Sequence, residues 1–242
     1  MSRPLREQLV SVILPSYNER EVIGDTIQGL YEQIQQPLEV IVVDDGSPDG
    51  TAEVVRNLQT RFPTLKLIQR TNARGLASAF NRGIIESQGD IVCWMDADMS
   101  MPPTVLAEMI RHLDRNDIVV GSRYAPGGKD DRAPVRTLAS RLINGFAGLV
   151  LGGGIKDYDS GFVAVRRTVF DHVSIIPTGY GAYFIEFLYN AHLKGLRIHE
   201  VGYCFRDREQ GVSKSFASLR SFVVLGAGYV GRILLAKARG CD

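Results

Sequence analysis

The sequence predicts an α/β fold in which a mostly parallel central sheet is flanked by helices. In the first half of the chain, short runs of β-branched residues alternate with segments whose apolar residues recur at helical spacing. This alternation is typical of a parallel sheet covered by helices. At 242 residues and 45% hydrophobic, the chain is long enough to bury a core. We predict one domain over residues 1–242, with a core at about 8–216 and a C-terminal amphipathic helix at about 217–239.

Short apolar runs predict six strands. In chain order they cover residues 10–14, 39–43, 65–69, 91–95, 118–121 and 198–205. Between the first strands the spacing of the apolar residues changes from that of a strand to that of a helix. Each such helix returns the chain to the same edge of the sheet.

Helical spacing predicts four helices in the first half. The first begins with Asn18 as its N-cap, because Glu21 lies three residues on and completes a capping box. The next three cover about 54–62, 76–87 and 103–113. After these helices the pattern changes: residues 122–138 are rich in Gly, Pro, Arg and Asp and predict a mobile loop over a site.

Composition excludes several classes of protein. The net charge of +1 offers no general attraction for nucleic acid. Three scattered cysteines are too few for a disulfide framework, and the apolar run 9–14 is too short for a signal peptide. We therefore expect a cytoplasmic protein. The glycine-bearing segment 222–236 predicts the terminal amphipathic helix, with a peripheral position at the cytoplasmic face of a membrane, directly or through a membrane-anchored partner, as the alternative.

Two carboxylates predict a metal site. Asp96 and Asp98 directly follow a buried strand, and residues i and i+2 of an extended chain point the same way. Mg²⁺ and Mn²⁺ accept such oxygen ligands and share them with substrate phosphates, so we expect Mg²⁺ or Mn²⁺ as the cofactor. The alternative is a solvated turn that supplies an N-cap to the next helix.

A glycine pattern near the C-terminus predicts no second site. GAGYVG at 226–231 fits G-x-G-x-x-G, but only 11 residues follow its last glycine. A dinucleotide site also needs a helix, a strand and an acidic residue about 20 positions on. We therefore reject a dinucleotide-binding oxidoreductase.

Seven motifs in order resemble the family 2 glycosyltransferases of GT-A fold, and within them the dolichyl-phosphate mannose synthase and polyprenyl-phosphate glycosyltransferase group. They are VILPSYNE, IVVDDGSPDGT, GLASAFNRGI, MDADMSMPP, GSRYAPGG, DYDSGFVAVRR and FRDREQGVSKSF, within residues 10–216. Each motif alone is weak, but the ordered set is specific. The resemblance implies a GT-A (nucleotide-diphospho-sugar transferase) fold and an inverting transfer of a mannose- or glucose-type sugar from a GDP- or UDP-sugar to a polyprenyl or dolichyl phosphate.

The resemblance also assigns a donor site. The residues that it implies for base, ribose, diphosphate or sugar are Pro15, Tyr17, Glu19, Asp44, Asp45, Arg74, Asp96, Arg208, Ser213 and Lys214. A tyrosine can stack on a base, and carboxylates accept hydrogen bonds from ribose hydroxyls. For residues 44–49 the alternative is a turn that caps a helix. Arg206 is the alternative to Arg208 as the diphosphate contact.

The acceptor is implied to bind near the irregular segment. Arg123, Arg136 and Ser140 are the best matches to the acceptor-phosphate positions, next to an apolar stripe that suits a lipid. The alternative is a charged loop followed by a core helix.

Two further functions stay open. A phosphate acceptor needs no base, but transfer to a glycan or protein hydroxyl does, and Glu186, Asp157 and Asp159 are the candidates for that base. For Glu186 the structural alternative is that it binds a backbone group or an arginine. A non-catalytic sugar-nucleotide-binding protein is the third possibility, which retention of Asp98 with Arg208 and Lys214 argues against.

Overall fold

The computed structural model describes residues 3–177, 181–206 and 219–240, without the side chains of 219–225. Nine strands lie within these residues. They are β1 Val10–Ser16, β2 Leu38–Asp44, β3 Leu65–Gln69, β4 Ile91–Trp94, β5 Ile118–Ser122, β6 Lys129–Asp130, β7 Val163–Arg166, β8 Ile198–Gly202 and β9 Cys204–Phe205. Seven form one sheet in the order β3-β2-β1-β4-β7-β5-β8, and β6 pairs with β9 in a separate ribbon.

The sheet is mostly parallel, as predicted. β1 pairs in parallel with both β2 and β4, and β2 with β3. β7 is the exception: it lies antiparallel between β4 and β5, and the sequence did not predict it. Ser16 is in register with Asp44, so the carboxyl ends of β1 and β2 meet at one edge.

Seven α-helices lie within the described ranges. They are α1 Ile23–Gln33, α2 Thr51–Gln59, α3 Leu76–Glu86, α4 Pro103–His112, α5 Pro134–Leu151, α6 Tyr183–Leu193 and α7 Leu219–Arg239. Because side chains alternate along a strand, neighbours on β4 enter different cores. Trp94 packs among aromatic residues of α3 and α6, whereas Cys93 joins the core beneath α1 and α4. Within the described part of the chain, no helix has the length and apolar character to cross a bilayer.

Two predicted boundaries need correction. Asn18 is not a helix cap, because α1 begins at Ile23 with Val22 as its N-cap. Asn18 instead adopts a φ of 57°, and its N–H donates to the Ser47 hydroxyl at 3.0 Å, which joins the turn after β1 to the turn after β2. The segment 122–138 is also less irregular than predicted, since it contains β6 and the first turn of α5, with Pro134 in the first turn.

A buried carboxylate joins three strands at the opposite edge of the sheet. Glu39 of β2 accepts hydrogen bonds from the Ser11 hydroxyl of β1 at 2.5 Å, from the Lys66 ammonium of β3 at 2.6 Å and from the Gln88 N–H at 2.6 Å. Burial raises the pKa of Glu39, but these donors outweigh burial and hold its pKa below the ordinary value. The ionised form of Glu39 therefore stabilises the fold.

Candidate active site

The carboxyl ends of β1 and β2 bring the predicted donor residues together. Asp44 is fully buried and accepts from the Ser47 N–H at 3.0 Å and from the Ser47 hydroxyl. Asp45 accepts from the Gly75 N–H at 2.9 Å and from Arg70 Nε at 2.7 Å. The turn that was the alternative for residues 44–49 is therefore present. Asp45 in addition ties the start of α3 to the end of β2.

A second pair of donor residues meets across this edge. The Arg74 guanidinium lies 4.8 Å from the centroid of the Tyr17 ring, which is a cation–π distance. Pro15 is the second-last residue of β1, and Glu19 is buried with its N–H donating to the Thr51 hydroxyl at 3.0 Å. Residues from the first, second and third βα units thus converge on a planar aromatic surface beside a cation.

The predicted metal ligands follow β4. The strand ends at Trp94, and residues 97–101 form a bend in which Met99 has a φ of 63°. Asp98 Oδ1 accepts from the Ser100 N–H at 3.1 Å and from its hydroxyl at 2.5 Å. Neither aspartate caps α4, whose N-cap is Pro102, so the capping alternative is wrong. The bend, not an extended chain, sets the direction of Asp98.

The chemistry of these two side chains fits a hard divalent cation. Both Asp96 and Asp98 are partly exposed at the sheet edge and offer oxygen ligands. Among the residues that the structure describes, no three His, Cys, Asp or Glu side chains converge as a complete protein site. A Mg²⁺ or Mn²⁺ ion held by one or two carboxylates and substrate phosphates needs no third protein ligand.

Asp96 also lines a cavity of about 390 Å³. Part of its wall is apolar and comes from three helices: Leu76, Phe80, Leu142, Ile143 and Val230. Arg123, Arg136 and Ser140, the three residues predicted for the acceptor, all lie in the same wall. The cavity therefore combines cationic and apolar surface directly beside the predicted metal site. This combination suits an amphiphilic anion.

Two arginines of the cavity wall are held by carboxylates that the sequence did not identify as their partners. Arg123 is buried, and its Nε and Nη2 donate to Asp157 at 2.8 and 2.6 Å. Arg132 makes a similar pair with Asp130, at 2.8 and 2.7 Å. Asp159 lines the cavity 3.7 Å from Arg123. Burial raises the pKa of Asp159, although Arg123 opposes the shift. These arginines are thus oriented by fixed partners before any ligand binds.

Two of the candidate bases accept hydrogen bonds from arginines, whereas the third, Asp159, lies 3.7 Å from Arg123. Asp157 is occupied by Arg123, and its own N–H donates to Glu200 at 3.0 Å. Glu186 is 2% exposed, lies outside the cavity wall, and accepts from Arg232 and Arg239 of α7, each at 2.8 Å. The structure thus favours the structural alternative for Glu186.

α7 contributes to the cavity in a way that the sequence did not predict. Gly226, Tyr229 and Val230 of this helix lie in the cavity wall. A Cβ added at Gly181 would come within 2.3 Å of the Tyr229 hydroxyl, so the two segments are in close contact. The only signal was the apolar spacing of 222–236, which predicted a helix but not what it would pack against. Arg208, Ser213 and Lys214 lie outside the described residues, and Arg206 is exposed.

Comparison with known proteins identifies the family. The model of "Glycosyl transferase family 2" matches residues 11–174. A dolichol-phosphate mannosyltransferase of Pyrococcus furiosus is 38% identical over 216 residues, which is 85% of this chain and 58% of that relative. A polyprenol monophosphomannose synthase of Mycolicibacterium smegmatis is 34% identical over 249 residues, 98% of this chain and 92% of the relative.

Solved structures support the same conclusion at the level of the fold. Glucosyl-3-phosphoglycerate synthase of Mycobacterium tuberculosis, crystallised with Mn²⁺, UDP and glucosyl-3-phosphoglycerate, superposes with a TM-score of 0.74 at 19% identity. The match covers 98% of this chain and 86% of that one. The predicted GT-A architecture is confirmed. From the motifs, the fold and the aligned relatives together, the chain belongs to glycosyl transferase family 2 and is a glycosyltransferase.

Proposed function

We propose that the chain is an inverting hexosyltransferase that moves a mannose- or glucose-type sugar from a GDP- or UDP-sugar to a polyprenyl or dolichyl phosphate, with Mg²⁺ or Mn²⁺. The observation that carries this proposal is the cavity beside Asp96, whose wall combines apolar side chains with Arg123, Arg136 and Ser140. The two relatives above, which are named for mannosyl transfer to lipid phosphates, support it.

On the donor side, Tyr17 and Arg74 present an aromatic face and a cation to the nucleotide. Asp96 and Asp98 hold the metal ion, which supplies positive charge to the diphosphate as the sugar leaves. Hydrogen bonds within and beside the turn hold the carboxylates of Asp44 and Asp45 in one orientation. The carboxylate oxygens can therefore accept further hydrogen bonds only from a defined direction.

On the acceptor side, a phosphate monoester has a second pKa of about 6 and is largely dianionic at neutral pH. One of its oxygens forms the bond to the anomeric carbon while the bond to the diphosphate breaks, and the electron pair leaves with the diphosphate. Attack from the opposite face inverts configuration. No general base is needed, which agrees with the engagement of Glu186 and Asp157 by arginines. Arg136 and Ser140 bind the phosphate, and Asp157 keeps the Arg123 guanidinium in one orientation.

A second candidate function is transfer to a hydroxyl of a glycan or protein. The observation that favours it is Asp159, a carboxylate in the cavity wall whose pKa is raised by burial. The Asp159→Asn variant separates the two candidates. A phosphate acceptor is still glycosylated by the variant, whereas a hydroxyl acceptor loses most of its rate.

The decisive experiment offers labelled GDP- and UDP-sugars to the purified protein with Mn²⁺ or Mg²⁺. A polyprenyl phosphate and a set of free glycans serve as competing acceptors. We expect label to enter the lipid phosphate and to be lost when the metal is chelated. Label in the glycans alone would replace the proposal by the second candidate. Binding of nucleotide sugar without transfer to either acceptor would indicate a non-catalytic protein.

A further inference from the structure

One buried tyrosine lies in the cavity wall beside the predicted metal site. Tyr183 is the first residue of α6, is 1% exposed and lines the cavity together with Asp96 and Asp159. Its ring packs against Phe80 of α3 and Phe184 of α6, with ring centroids 5.7 and 6.1 Å away. Tilted and edge contacts of this kind hold an aromatic ring in one orientation, so the hydroxyl of Tyr183 has a defined position in the wall.

The hydroxyl of this tyrosine lacks a hydrogen bond. Within the part of the chain that the structure describes, four buried side-chain polar atoms have no partner: Ser16 Oγ, Trp94 Nε1, Tyr183 Oη and Tyr203 Oη. Of these four residues, only Tyr183 belongs to the cavity wall. A buried hydroxyl without a partner is unfavourable, and such groups are rare unless a water or a ligand completes them. An unpaired hydroxyl in this wall therefore indicates a polar atom of a ligand.

The hydroxyl lies beside a glycine that also lines the cavity. A Cβ added at Gly161 would lie 4.0 Å from the hydroxyl oxygen of Tyr183. Gly161 adopts a φ of 69°, in the left-handed region that favours glycine. Consequently no side chain at position 161 fills the space beside the hydroxyl, and a ligand in the cavity can approach it.

Two carboxylates act on the hydroxyl. Burial raises the pKa of the Tyr183 phenol, the charges of Asp96 and Asp159 raise it further, and the Trp94 indole opposes the shift. The hydroxyl therefore keeps its proton at neutral pH and can donate it in a hydrogen bond. Asp96 is a predicted metal ligand, whereas Asp159 lies 3.7 Å from Arg123, a predicted acceptor residue. Tyr183 is thus under the influence of both halves of the site.

This position suits a neutral ligand oxygen. A phosphate oxygen beside Asp159 is disfavoured by its like charge. A sugar hydroxyl can instead accept a hydrogen bond from Tyr183 and donate one to a carboxylate. In the proposed transfer, the sugar must lie between the diphosphate at Asp96 and the acceptor phosphate near Arg123, and the carboxylates that act on Tyr183 belong one to each side.

We propose that Tyr183 is a specificity-determining residue whose hydroxyl donates a hydrogen bond to a hydroxyl of the sugar carried by the nucleotide donor. A sugar without a hydroxyl at that point leaves the phenol unpaired and binds more weakly. The inference rests on the proposed function only for the class of donor, which is a nucleotide sugar. It holds whichever acceptor receives the sugar.

Calorimetric titration in the presence of Mn²⁺ tests the contact without any acceptor. GDP-mannose and UDP-glucose are titrated alongside GDP and UDP, which lack the sugar. For the nucleotide sugar that binds the wild type, we expect Tyr183→Phe to bind about tenfold more weakly, as the loss of one neutral hydrogen bond implies. The matching nucleoside diphosphate should bind the variant and the wild type equally, because the phenylalanine ring keeps the packing and only the hydroxyl is removed.

Monodeoxy analogues of the sugar identify the hydroxyl that is contacted. The analogue that lacks this hydroxyl should bind the wild type about tenfold more weakly than the parent nucleotide sugar does. Tyr183→Phe should bind the analogue and the parent with equal affinity. Such coupling between one protein hydroxyl and one sugar hydroxyl is the signature of direct contact, and a merely structural role would not produce it.

A matched control and a stability measurement separate the contact from a structural role. Tyr189 is 2% exposed on the same helix and lies outside the cavity wall, so Tyr189→Phe should bind every ligand like the wild type. Without ligand, Tyr183→Phe should have the Tm of the wild type or a higher one, because it removes a buried hydroxyl that has no partner. Removal of a structural hydroxyl would lower the Tm.

Several outcomes would overturn the contact. They are equal affinity of the wild type and Tyr183→Phe for the nucleotide sugar, equal loss for the nucleotide sugar and the nucleoside diphosphate, and a lower Tm of Tyr183→Phe without ligand. Failure of the wild type to label a polyprenyl phosphate would contradict the proposed acceptor and leave the sugar contact standing. Binding of neither nucleotide sugar by the wild type would contradict both.

Discussion

At the residue scale, the site consists of side chains whose directions are set by neighbours before any substrate arrives. Ser100 holds Asp98, Asp157 holds Arg123, and Gly75 with Arg70 holds Asp45. Such fixed contacts reduce the reorganisation that binding would otherwise require. Substitutions in the site are therefore expected to change the binding of donor or acceptor more than the stability of the fold.

Asp98→Ala should abolish metal-dependent donor binding while the fold persists. Loss of one of two charged metal ligands is expected to weaken nucleotide-sugar affinity in the presence of Mn²⁺ by roughly 3 kcal/mol. Calorimetric titration measures this change, with Asp171→Ala as a control at an exposed aspartate. Unaltered affinity in Asp98→Ala would refute its role as a ligand.

Arg136→Ala should impair acceptor use more than donor binding. A charge-assisted hydrogen bond to phosphate is worth about 1.5–3 kcal/mol, so we expect the KM for a polyprenyl phosphate to rise about tenfold or more. The KM for the donor should stay nearly constant. Steady-state kinetics with each substrate varied in turn measures both, and Arg111→Ala on α4 is the matched control. Equal loss for the two substrates would count against the acceptor role.

At the element scale, ion pairs from one helix to another position the wall of the cavity. Glu186 of α6 lies between Arg232 and Arg239, which are two turns apart on α7. α7 in turn places Tyr229 and Val230 in the cavity wall. The pair of arginines on one buried carboxylate therefore influences the cavity through the position of a helix, and none of the three side chains lines the cavity itself.

Glu186→Ala should loosen α7 without affecting the donor site. Removing the carboxylate leaves Arg232 and Arg239 without their shared partner. We expect the free energy of unfolding to fall by about 2–3 kcal/mol, a value discounted because Arg239 is half exposed. Amide hydrogen exchange should accelerate in α7, and the KM for the acceptor should rise while donor affinity is kept. Glu108→Gln, at an exposed helix position, is the control. Protection of α7 equal to that of the wild type would contradict this role.

Glu39 gives the sheet a predictable response to acid. Its folded-state pKa lies below the ordinary value, so its contribution is complete above pH of about 4.3 and is lost as pH falls through the folded pKa. We expect Glu39→Gln to destabilise the protein by about 1–3 kcal/mol at pH 7. Urea unfolding at several pH values should show the difference from wild type shrinking toward pH 3. A difference independent of pH would contradict the assignment.

The elements that the sequence predicted and those that it missed differ in a physical respect. β1, β2 and β4 were predictable because each is a buried run of apolar residues. The start of α1 was not predictable, because the N–H of Asn18 donates to the hydroxyl of Ser47, a residue 29 positions away in the sequence. The ion pair of Asp157 with Arg123 likewise joins residues 34 positions apart. The local sequence pattern predicts which residues are buried and whether they form a strand or a helix. The partners of a polar side chain depend on residues far away in the sequence.

At the scale of the whole molecule, the sheet topology brings the two halves of the site together. β1, β2 and β4 place the predicted donor residues and Asp96 at one edge, and α5, which precedes the antiparallel β7, lines the cavity beside Asp96. Ligands of open α/β sheets bind at this edge. The topology thus brings residues of several predicted motifs to one edge, although no single segment's period indicated that they would meet.

Binding at this edge should stabilise the entire fold, because the ligand contacts segments from several βα units. With Mn²⁺ and a nucleoside diphosphate at about 100 times its Kd, linkage gives about 2.7 kcal/mol. For a chain of this size that corresponds to a rise in Tm of roughly 5–10 °C. Differential scanning calorimetry measures it, with chelator as the control. A Tm that does not change with GDP or UDP in the presence of metal would contradict the donor site.

Trp94 gives the chain an optical reporter of its own site. It is the single tryptophan, it is fully buried, and it lies two residues before Asp96. Its indole packs against Phe184 and Phe187, and against Phe80, which lines the cavity. Indole emission consequently arises from one defined location, so a spectral change on adding nucleotide or lipid is attributable to the neighbourhood of Asp96 and the cavity, without labelling and without engineering a fluorophore.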